Sequence, residues 1–189
     1  MGAVLADTRI AEPPAASTVA PAPALNTPEA CAVCHGPEGN SVMGAYPVLA
    51  GQTARYLYLQ LRDFKEGRRQ DQSMSPIAQA LGKEEMQQLA QHFSEQKPKP
   101  LAFNADDAKV AAGRKKAEES LCSMCHLGGL AGQNEIPRLA GQQPEYVIKQ
   151  LKAFRSKTRT NDAGNMAAYT ANLSDEDIDN LAQYITTLQ

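Results

Sequence analysis

Two copies of one five-residue motif constrain this chain of 189 residues more than any other feature. Residues 31–35 read CAVCH and residues 122–126 read CSMCH, so both follow the pattern C-x-x-C-H. This pattern is typical of covalent haem attachment, in which two thiols bond to the vinyl groups of one porphyrin and the next imidazole becomes an axial iron ligand. The motifs therefore predict two haem c groups per chain. The residues that would attach them are Cys31, Cys34, Cys122 and Cys125, with His35 and His126 as iron ligands.

Three other uses of the four cysteines fit the sequence less well. Neighbours such as Cys34 and His35 are poorly placed to bind one tetrahedral zinc ion, and neither half of the chain holds another cysteine or an obvious fourth ligand. A thioredoxin-like redox pair needs a βαβ context, which the sequence does not provide. Disulfides in an oxidising compartment stay open as the simplest alternative, although a two-residue loop gives a strained and reactive bridge.

Composition indicates an all-α fold and excludes some classes of function. Val and Ile number 13, while Ala, Leu, Gln, Glu and Lys dominate the periodic segments, which favours helix over sheet. The net charge is −2 and Lys and Arg are dispersed among Asp and Glu, so we expect no nucleic-acid partner. No apolar run approaches the roughly 20 residues needed to cross a bilayer, which predicts no membrane span in this chain.

An internal duplication divides the chain into two halves. Residues 47–69 align with residues 137–159 at a shift of 90, and ten of these 23 positions are identical. Similarity at a fixed shift indicates repeated structural units. We expect a first domain at 27–97 and a second at 105–189, joined by a linker at 98–104 whose proline-containing start prevents a continuous helix.

The two halves differ in the segment that precedes the motif. A long helix over 105–121 is expected to lead into the second motif, because that segment has no proline and is rich in Ala, Lys and Glu. The fifteen residues before Cys31 contain three prolines, so only about one helical turn from Thr27 is expected there. The first domain should therefore lack the N-terminal helical brace of the second.

The first 26 residues are expected to form a separate leader. Residues 1–26 are rich in Ala and Pro and are interpreted as a disordered leader or tether. Residues 1–6 have neither a basic n-region nor a full apolar h-region, although residues 4–6 are compatible with the end of one. A native tether is therefore left open.

The sixth iron ligand decides between an electron carrier and an enzyme. His92 is the only other histidine, and the duplicate has Tyr184 there, which favours a partly exposed helix residue over a ligand. Among the methionines, only Met74 and Met166 correspond between the halves, and they follow their histidines by 39 and 40 residues. A methionine usually fills a core, but this symmetry predicts that Met74 and Met166 bind iron.

The chain resembles the cytochrome c4 family, bacterial dihaem cytochromes built from two class I cytochrome c domains. The resemblance covers roughly residues 27–189 and rests on CAVCH and CSMCH, on YPVLAGQ and IPRLAGQ, and on the runs from Met74 and Met166 to the last helix of each half. It implies two tandem all-α domains about a pseudo-twofold axis, two low-spin His/Met haems with propionates near the domain interface, and a periplasmic electron carrier. It also implies that the carbonyls of Pro47 and Pro137 accept hydrogen bonds from the proximal imidazoles.

Saturated irons favour electron transfer as the function. Two strong-field ligands leave no vacant coordination site, so outer-sphere transfer is expected. The expected partners are a quinol–cytochrome c reductase or a periplasmic dehydrogenase as donor, and a haem-copper oxidase as acceptor. Two alternatives stay open: a dihaem redox enzyme, and a dedicated electron-accepting subunit of a dehydrogenase such as thiosulfate dehydrogenase. Arg69 and Arg159 correspond in the repeat, and each is either a partner of a haem propionate or a solvated charge at a helix end.

Overall fold

The structure, a computed structural model, describes residues 26–189. This range contains α-helices and short 3-10 turns and no named β-strand, in agreement with the expected all-α class. The helices of the first half are α1 (Pro28–His35), α2 (Ala54–Lys65), α3 (Met74–Gln79) and α4 (Lys83–Ser94). Those of the second half are α5 (Asp107–Glu119), α6 (Leu127–Leu130), α7 (Pro144–Arg155), α8 (Asn165–Thr170) and α9 (Asp175–Thr187). None of these helices is both long and apolar enough to span a bilayer.

The long helix expected before the second motif is present as α5. The side chain of Asp106 caps it by accepting hydrogen bonds from two backbone N–H groups, at 2.9 and 3.1 Å. The helix ends at Glu119, two residues earlier than the sequence predicts, because Leu121 adopts a left-handed backbone with φ 54°. A 3-10 turn over Cys122–Met124 then carries the first part of the motif.

Helix α5 crosses α9 at a glycine. A Cβ atom on Gly113 would lie 2.0 Å from the carbonyl oxygen of Asn180 and 2.8 Å from Cβ of Tyr184, so only glycine allows the two backbones to approach this closely. The apolar core of the second domain lies beside this crossing. Its buried residues are Ala117, Leu130, Val147, Leu173, Ile178, Leu181, Ala182 and Ile185.

The first half has a much shorter counterpart of α5. Thr27 caps α1 by accepting a hydrogen bond from the N–H of Ala30 at 3.3 Å, and Pro28 occupies the first turn. Three residues of α1 precede Cys31, which confirms the single turn predicted from the prolines, and the helix then continues through the motif to His35. The buried core of the first domain consists of Leu57, Leu81, Met86, Leu89, Ala90 and Phe93.

This difference predicts unequal local stability at the two motifs. Helix α1 buries only His35, whereas α5 buries Gly113 and Ala117 against α9. We therefore expect the backbone amides of α1 to exchange with solvent faster than those in the middle of α5, since segments with few buried contacts open locally at low cost. Hydrogen exchange read by mass spectrometry tests this, with α4 and α9 as internal references. Equal protection of α1 and α5 would contradict it.

The segment between α4 and α5 contains no helix and is held on the first domain. The side-chain amide of Asn40 donates to the carbonyl of Lys97 at 3.2 Å, and its oxygen accepts the N–H of Lys99 at 2.8 Å. Residues 1–25, which make up nearly all of the predicted leader, lie outside the residues that the structure describes.

A pair of glutamines joins the two domains in a twofold pattern. Gln52 donates to the carbonyl of Arg138 at 2.9 Å and accepts its N–H at 2.7 Å. Gln142 does the same with Val48, donating to the carbonyl at 3.0 Å and accepting the N–H at 2.7 Å. At the repeat shift of 90, Gln52 corresponds to Gln142 and Val48 corresponds to Arg138. The duplication in sequence is therefore also a pseudo-twofold symmetry of these contacts.

Candidate functional site

A cavity of about 980 Å³ is lined by both domains. This volume is at the upper end of the range typical for small-molecule and cofactor sites, ~300–1,000 Å³. The predicted site residues that line the cavity are Cys31, His35, Pro47, Arg69, Met74, Cys122, Cys125, His126, Pro137, Arg159 and Met166. Cys34 does not line it and is half-buried in α1, directly before His35.

The two motif histidines are buried and bonded in the same way. His35 is 5% exposed and its Nδ1 donates to the carbonyl of Pro47 at 2.9 Å; His126 is 6% exposed and its Nδ1 donates to the carbonyl of Pro137 at 2.8 Å. Burial lowers the pKa of both imidazoles, and the carbonyl hydrogen bonds oppose this only in part. Each ring is therefore neutral, with Nε2 left as the free ligating nitrogen.

No disulfide joins the four motif cysteines, all of which lie in the described part of the chain. Burial raises the pKa of the Cys31 and Cys122 thiols above their usual range, while Cys125 is exposed. Protonated thiols suit addition across a vinyl double bond, which takes up both the sulfur and its hydrogen. Within residues 26–189, no three His, Cys, Asp or Glu side chains are grouped as a metal site, which disfavours the zinc alternative.

Each predicted methionine ligand lies at the start of a short helix, beside an aspartate. Met74 is the first residue of α3, and Asp71 Oδ1 accepts its N–H at 3.2 Å. Met166 is the second residue of α8, and Asp162 Oδ2 accepts its N–H at 2.5 Å. Burial alone would raise the pKa of Asp71, but hydrogen bonds from Lys149 and from backbone N–H groups lower it, so this carboxylate is ionised. Both methionines are half-buried and line the cavity.

The two arginines that correspond in the repeat, Arg69 and Arg159, form hydrogen bonds with residues of the opposite domain. Arg69 donates to the hydroxyl of Tyr146 at 2.9 Å, and Arg159 donates to the hydroxyl of Tyr56 at 3.1 Å. Gln60 and Gln150 each accept from both guanidinium groups, and an aromatic ring, Phe64 or Phe154, lies below each of them. Arg69 is 9% exposed and Arg159 is 8% exposed, so the alternative of solvated helix-end charges is wrong.

These buried arginines lack an anionic partner among the described residues. Their hydrogen-bond acceptors are amide and hydroxyl oxygens, and neither guanidinium forms an ion pair with a carboxylate in residues 26–189. Burial alone would raise the pKa of the Tyr146 hydroxyl, but Arg69 and Arg159 lower it, which reflects the excess of positive charge. Arg138 also lines the cavity, and its buried Nε has no hydrogen-bond partner. Buried cations without counterions are costly, so this region fits the carboxylates of a bound group.

The sequence reasoning missed the residues that organise this interface. Tyr56, Gln60 and their counterparts Tyr146 and Gln150 are identical at the repeat shift of 90, and that identity was the available signal. Arg138 follows Pro137 in IPRLAGQ but has Val48 as its counterpart, so the repeat gave no signal for it.

The other candidate ligands lie elsewhere. His92 is half-buried in α4, packs edge-on against Phe93 and does not line the cavity. Met86 is 4% exposed in the core of the first domain, whereas Met43 and Met124 are 45% and 64% exposed. The structure thus leaves Met74 and Met166 as the methionines on the cavity wall.

The donor set on this wall fits two haem c groups. Each domain supplies a buried neutral imidazole, a thioether and a pair of thiols, and the interface supplies guanidinium groups in need of anions. Imidazole and thioether are the axial pair of cytochromes c, and propionates are the matching anions.

Comparisons with known proteins agree with this donor set. The sequence model of the family described as cytochrome c matches residues 20–103 and again residues 110–189. Cytochrome c4 of Thiocapsa roseopersicina is 36% identical over 186 residues, covering 89% of this chain and 96% of the relative. A protein of Stutzerimonas stutzeri named thiosulfate dehydrogenase electron acceptor is 36% identical over 171 residues, covering 84% of this chain and 79% of the relative.

Two solved structures are similar to this chain over most of its length. The crystal structure of reduced recombinant cytochrome c4 from Pseudomonas stutzeri superposes with a TM-score of 0.79 at 34% identity, over 85% of this chain and 94% of that one. A thiosulfate dehydrogenase from Marichromatium purpuratum superposes with a TM-score of 0.75 at 30% identity, over 84% of this chain and 36% of that one.

Proposed function

Because the chain belongs to the cytochrome c family and within it to the two-domain cytochromes c4, we propose that it carries single electrons from a periplasmic or membrane-bound donor to a terminal oxidase or another acceptor. The protein is an electron-transfer protein with two covalently bound haem c groups. The proposed donor is a quinol–cytochrome c reductase or a dehydrogenase, the proposed acceptor a haem-copper oxidase, and the proposed location the bacterial periplasm.

We propose one complete haem site in each domain. In the first, Cys31 and Cys34 attach the porphyrin and His35 and Met74 bind iron. In the second, the corresponding residues are Cys122, Cys125, His126 and Met166. We propose the matching domain limits of 27–97 and 105–189, with the linker at 98–104.

The chain contributes fixed geometry and fixed charge to this function. Bound haem supplies the one-electron chemistry of its iron. The carbonyls of Pro47 and Pro137 hold each imidazole in one tautomer and one orientation. Arg69 and Arg159 are held by tyrosines of the opposite domain and neutralise propionates at the interface.

One observation supports this proposal most directly: the same His-to-Pro hydrogen bond and the same cavity-lining methionine occur in both domains. A site built for substrate turnover needs a labile or vacant iron position, whereas two matched His/Met sets close both irons. The repetition therefore favours a carrier over a dihaem redox enzyme.

A second candidate function is a dedicated electron acceptor of a thiosulfate dehydrogenase. It is favoured by the similarity to proteins with that name and to the thiosulfate dehydrogenase structure. The iron chemistry is the same for both functions. They differ in the donor, because a dedicated acceptor takes its electrons from one fixed enzyme. Co-purification of the native protein with one dehydrogenase at constant stoichiometry would favour this candidate over a free carrier.

The carrier function is tested by turnover with partners. Mixed with quinol–cytochrome c reductase, quinol and a haem-copper oxidase, the dihaem protein is expected to cycle over many turnovers. The contacts should be weak and should weaken further with salt, because transient redox interfaces are small and partly electrostatic.

Reaction with small oxidants and reductants distinguishes an electron carrier from a redox enzyme. Hydrogen peroxide or thiosulfate alone should change the spectrum of the wild-type protein slowly, since no iron position is open. The double variant Met74→Ala, Met166→Ala, which opens both irons, serves as the reactive control. Rapid saturable turnover of peroxide or thiosulfate by the wild-type protein would overturn the carrier function.

A further inference from the structure

Two aspartates lie in equivalent places beside the two cavity-lining methionines, although the repeat does not align them. Asp71 and Asp162 are 91 residues apart, whereas the flanking arginines are 90 apart and the methionines 92 apart. The residue that aligns with Asp71 at a shift of 90 is Asn161, which instead binds Asp63 and Gln60 at the interface. A carboxylate therefore lies beside the methionine in each domain, although the loop that leads to it differs in length by one residue.

The backbone N–H groups that these carboxylates accept all belong to the methionine-bearing turns. Asp71 Oδ1 accepts the N–H of Ser73 at 3.0 Å and that of Met74 at 3.2 Å. Asp162 Oδ1 accepts the N–H of Gly164 at 3.1 Å, and its Oδ2 accepts the N–H of Met166 at 2.5 Å. In each domain, one carboxylate thus fixes the backbone nitrogen of the residue whose sulfur lines the cavity.

We propose that Asp71 and Asp162 are positioning residues that hold Met74 and Met166 in place for iron ligation. The inference rests on the methionine ligation proposed above. Each aspartate acts through the backbone of its methionine and does not itself touch the iron. Asp71 is also tied to the second domain by Lys149 Nζ at 2.9 Å, whereas Asp162 forms no ion pair with any other residue in the described range.

Loss of the carboxylate should free the methionine and let an external ligand compete for the iron. Replacing a capping aspartate by alanine lowers the equilibrium constant for forming the capped turn by a factor of about 2 to 30, as converted from measured capping energies. Because imidazole binds only when the thioether leaves, its apparent affinity should rise by the same factor. The weak red absorption of the iron–thioether bond should fall in parallel.

The experiment reads one haem at a time in the dihaem protein. Asp71→Ala is made in the Met166→Ala background, where the loss of the remaining thioether absorption on adding imidazole reports on Met74 alone, and Asp162→Ala is made in the Met74→Ala background. The matched control is Asp106→Ala, which removes the same two-bond carboxylate cap from α5, where no methionine ligand follows. We expect tighter imidazole binding for Asp71→Ala and Asp162→Ala and no change for Asp106→Ala.

Asparagine variants give a second, independent prediction from the geometry. Asp71 uses one oxygen for both backbone bonds, so Asp71→Asn keeps both and loses only the ion pair with Lys149; it should therefore raise imidazole affinity no more than Lys149→Met does. Asp162 uses a different oxygen for each bond, so Asp162→Asn loses one and should bind imidazole more tightly than its parent. This contrast remains measurable even where an alanine variant does not fold. Identical behaviour of the two asparagine variants would overturn the inference.

Two further outcomes separate this inference from the ligand assignment. If Met74→Ala abolishes the thioether absorption while Asp71→Ala leaves it and imidazole affinity unchanged, the positioning role is wrong and the ligation stands. If the absorption survives in the double variant Met74→Ala, Met166→Ala, the ligand assignment itself is wrong. Lys149→Met is expected to fall short of the Asp71→Ala effect; an equal effect would assign the role to the ion pair and overturn the inference.

Discussion

Replacing Met74 or Met166 by alanine is expected to open one iron in each variant. The thioether is a soft ligand that favours the reduced iron, so its loss should lower the potential of that haem by an amount on the order of 0.1–0.3 V, within the ~0.8 V range that axial ligands span. The opened iron should bind carbon monoxide or imidazole, and the other haem should be unchanged. Redox titration followed optically, with and without added ligand, measures all three effects.

Two other methionines provide controls that separate ligation from stability. Met86 is 4% exposed in the core of the first domain, so Met86→Ala should lower the free energy of unfolding by about 2–5 kcal/mol and leave the iron–thioether absorption intact. Met43 is 45% exposed, so Met43→Ala should change neither property. Loss of the absorption in Met86→Ala or Met43→Ala would show that the wrong methionines have been assigned.

The fold class and the family were predictable from the sequence because both depend on local patterns. The C-x-x-C-H motifs and the shift of 90 indicated two haem-binding repeats, and the cytochrome c4 relatives confirm that reading. The starts of two helices also depend on local chemistry, since the side-chain oxygens of Thr53 and Ser174 cap α2 and α9.

The domain interface was not predictable, because it depends on which surfaces meet. Arg69 lies near the end of a helical segment in sequence, where a solvated charge is the ordinary expectation, yet it is bonded to a tyrosine 77 residues away. The amides of Gln52 and Gln142 pair with backbone groups of the opposite domain, a role that no short-range pattern encodes. Identity between the repeats indicated that these residues have a structural role, but it could not distinguish a contact with haem from a contact across the domain interface.

The end of α5 was also missed, for a local reason. The helix-favouring composition continues to the second motif, but Leu121 takes a left-handed conformation with φ 54° that its residue type does not favour. The second motif therefore begins in a 3-10 turn, whereas the first lies within α1.

The crossing of α5 and α9 leads to a large expected effect on stability. Gly113→Val would place a branched side chain where even a Cβ lies 2.0 Å from the carbonyl oxygen and 2.6 Å from the carbonyl carbon of Asn180. These are backbone atoms of a packed helix and cannot rotate away, so the two helices must separate. We expect a loss of about 2 kcal/mol or more in the free energy of unfolding of the second domain, at the upper part of the range for overpacked sites.

The neighbouring position supplies a matched control for this change. Ala112 is exposed on the same helix, so Ala112→Val introduces the same side chain at the cost of helix propensity alone, at most about 0.7 kcal/mol. Gly113→Ala tests the contact most stringently. Alanine favours helix over glycine by roughly 1 kcal/mol, yet its Cβ already meets Asn180, so it should still destabilise. Denaturant unfolding of the dihaem protein measures each variant, and equal stability of the Gly113→Val and Ala112→Val variants would show that α5 does not cross α9 at Gly113.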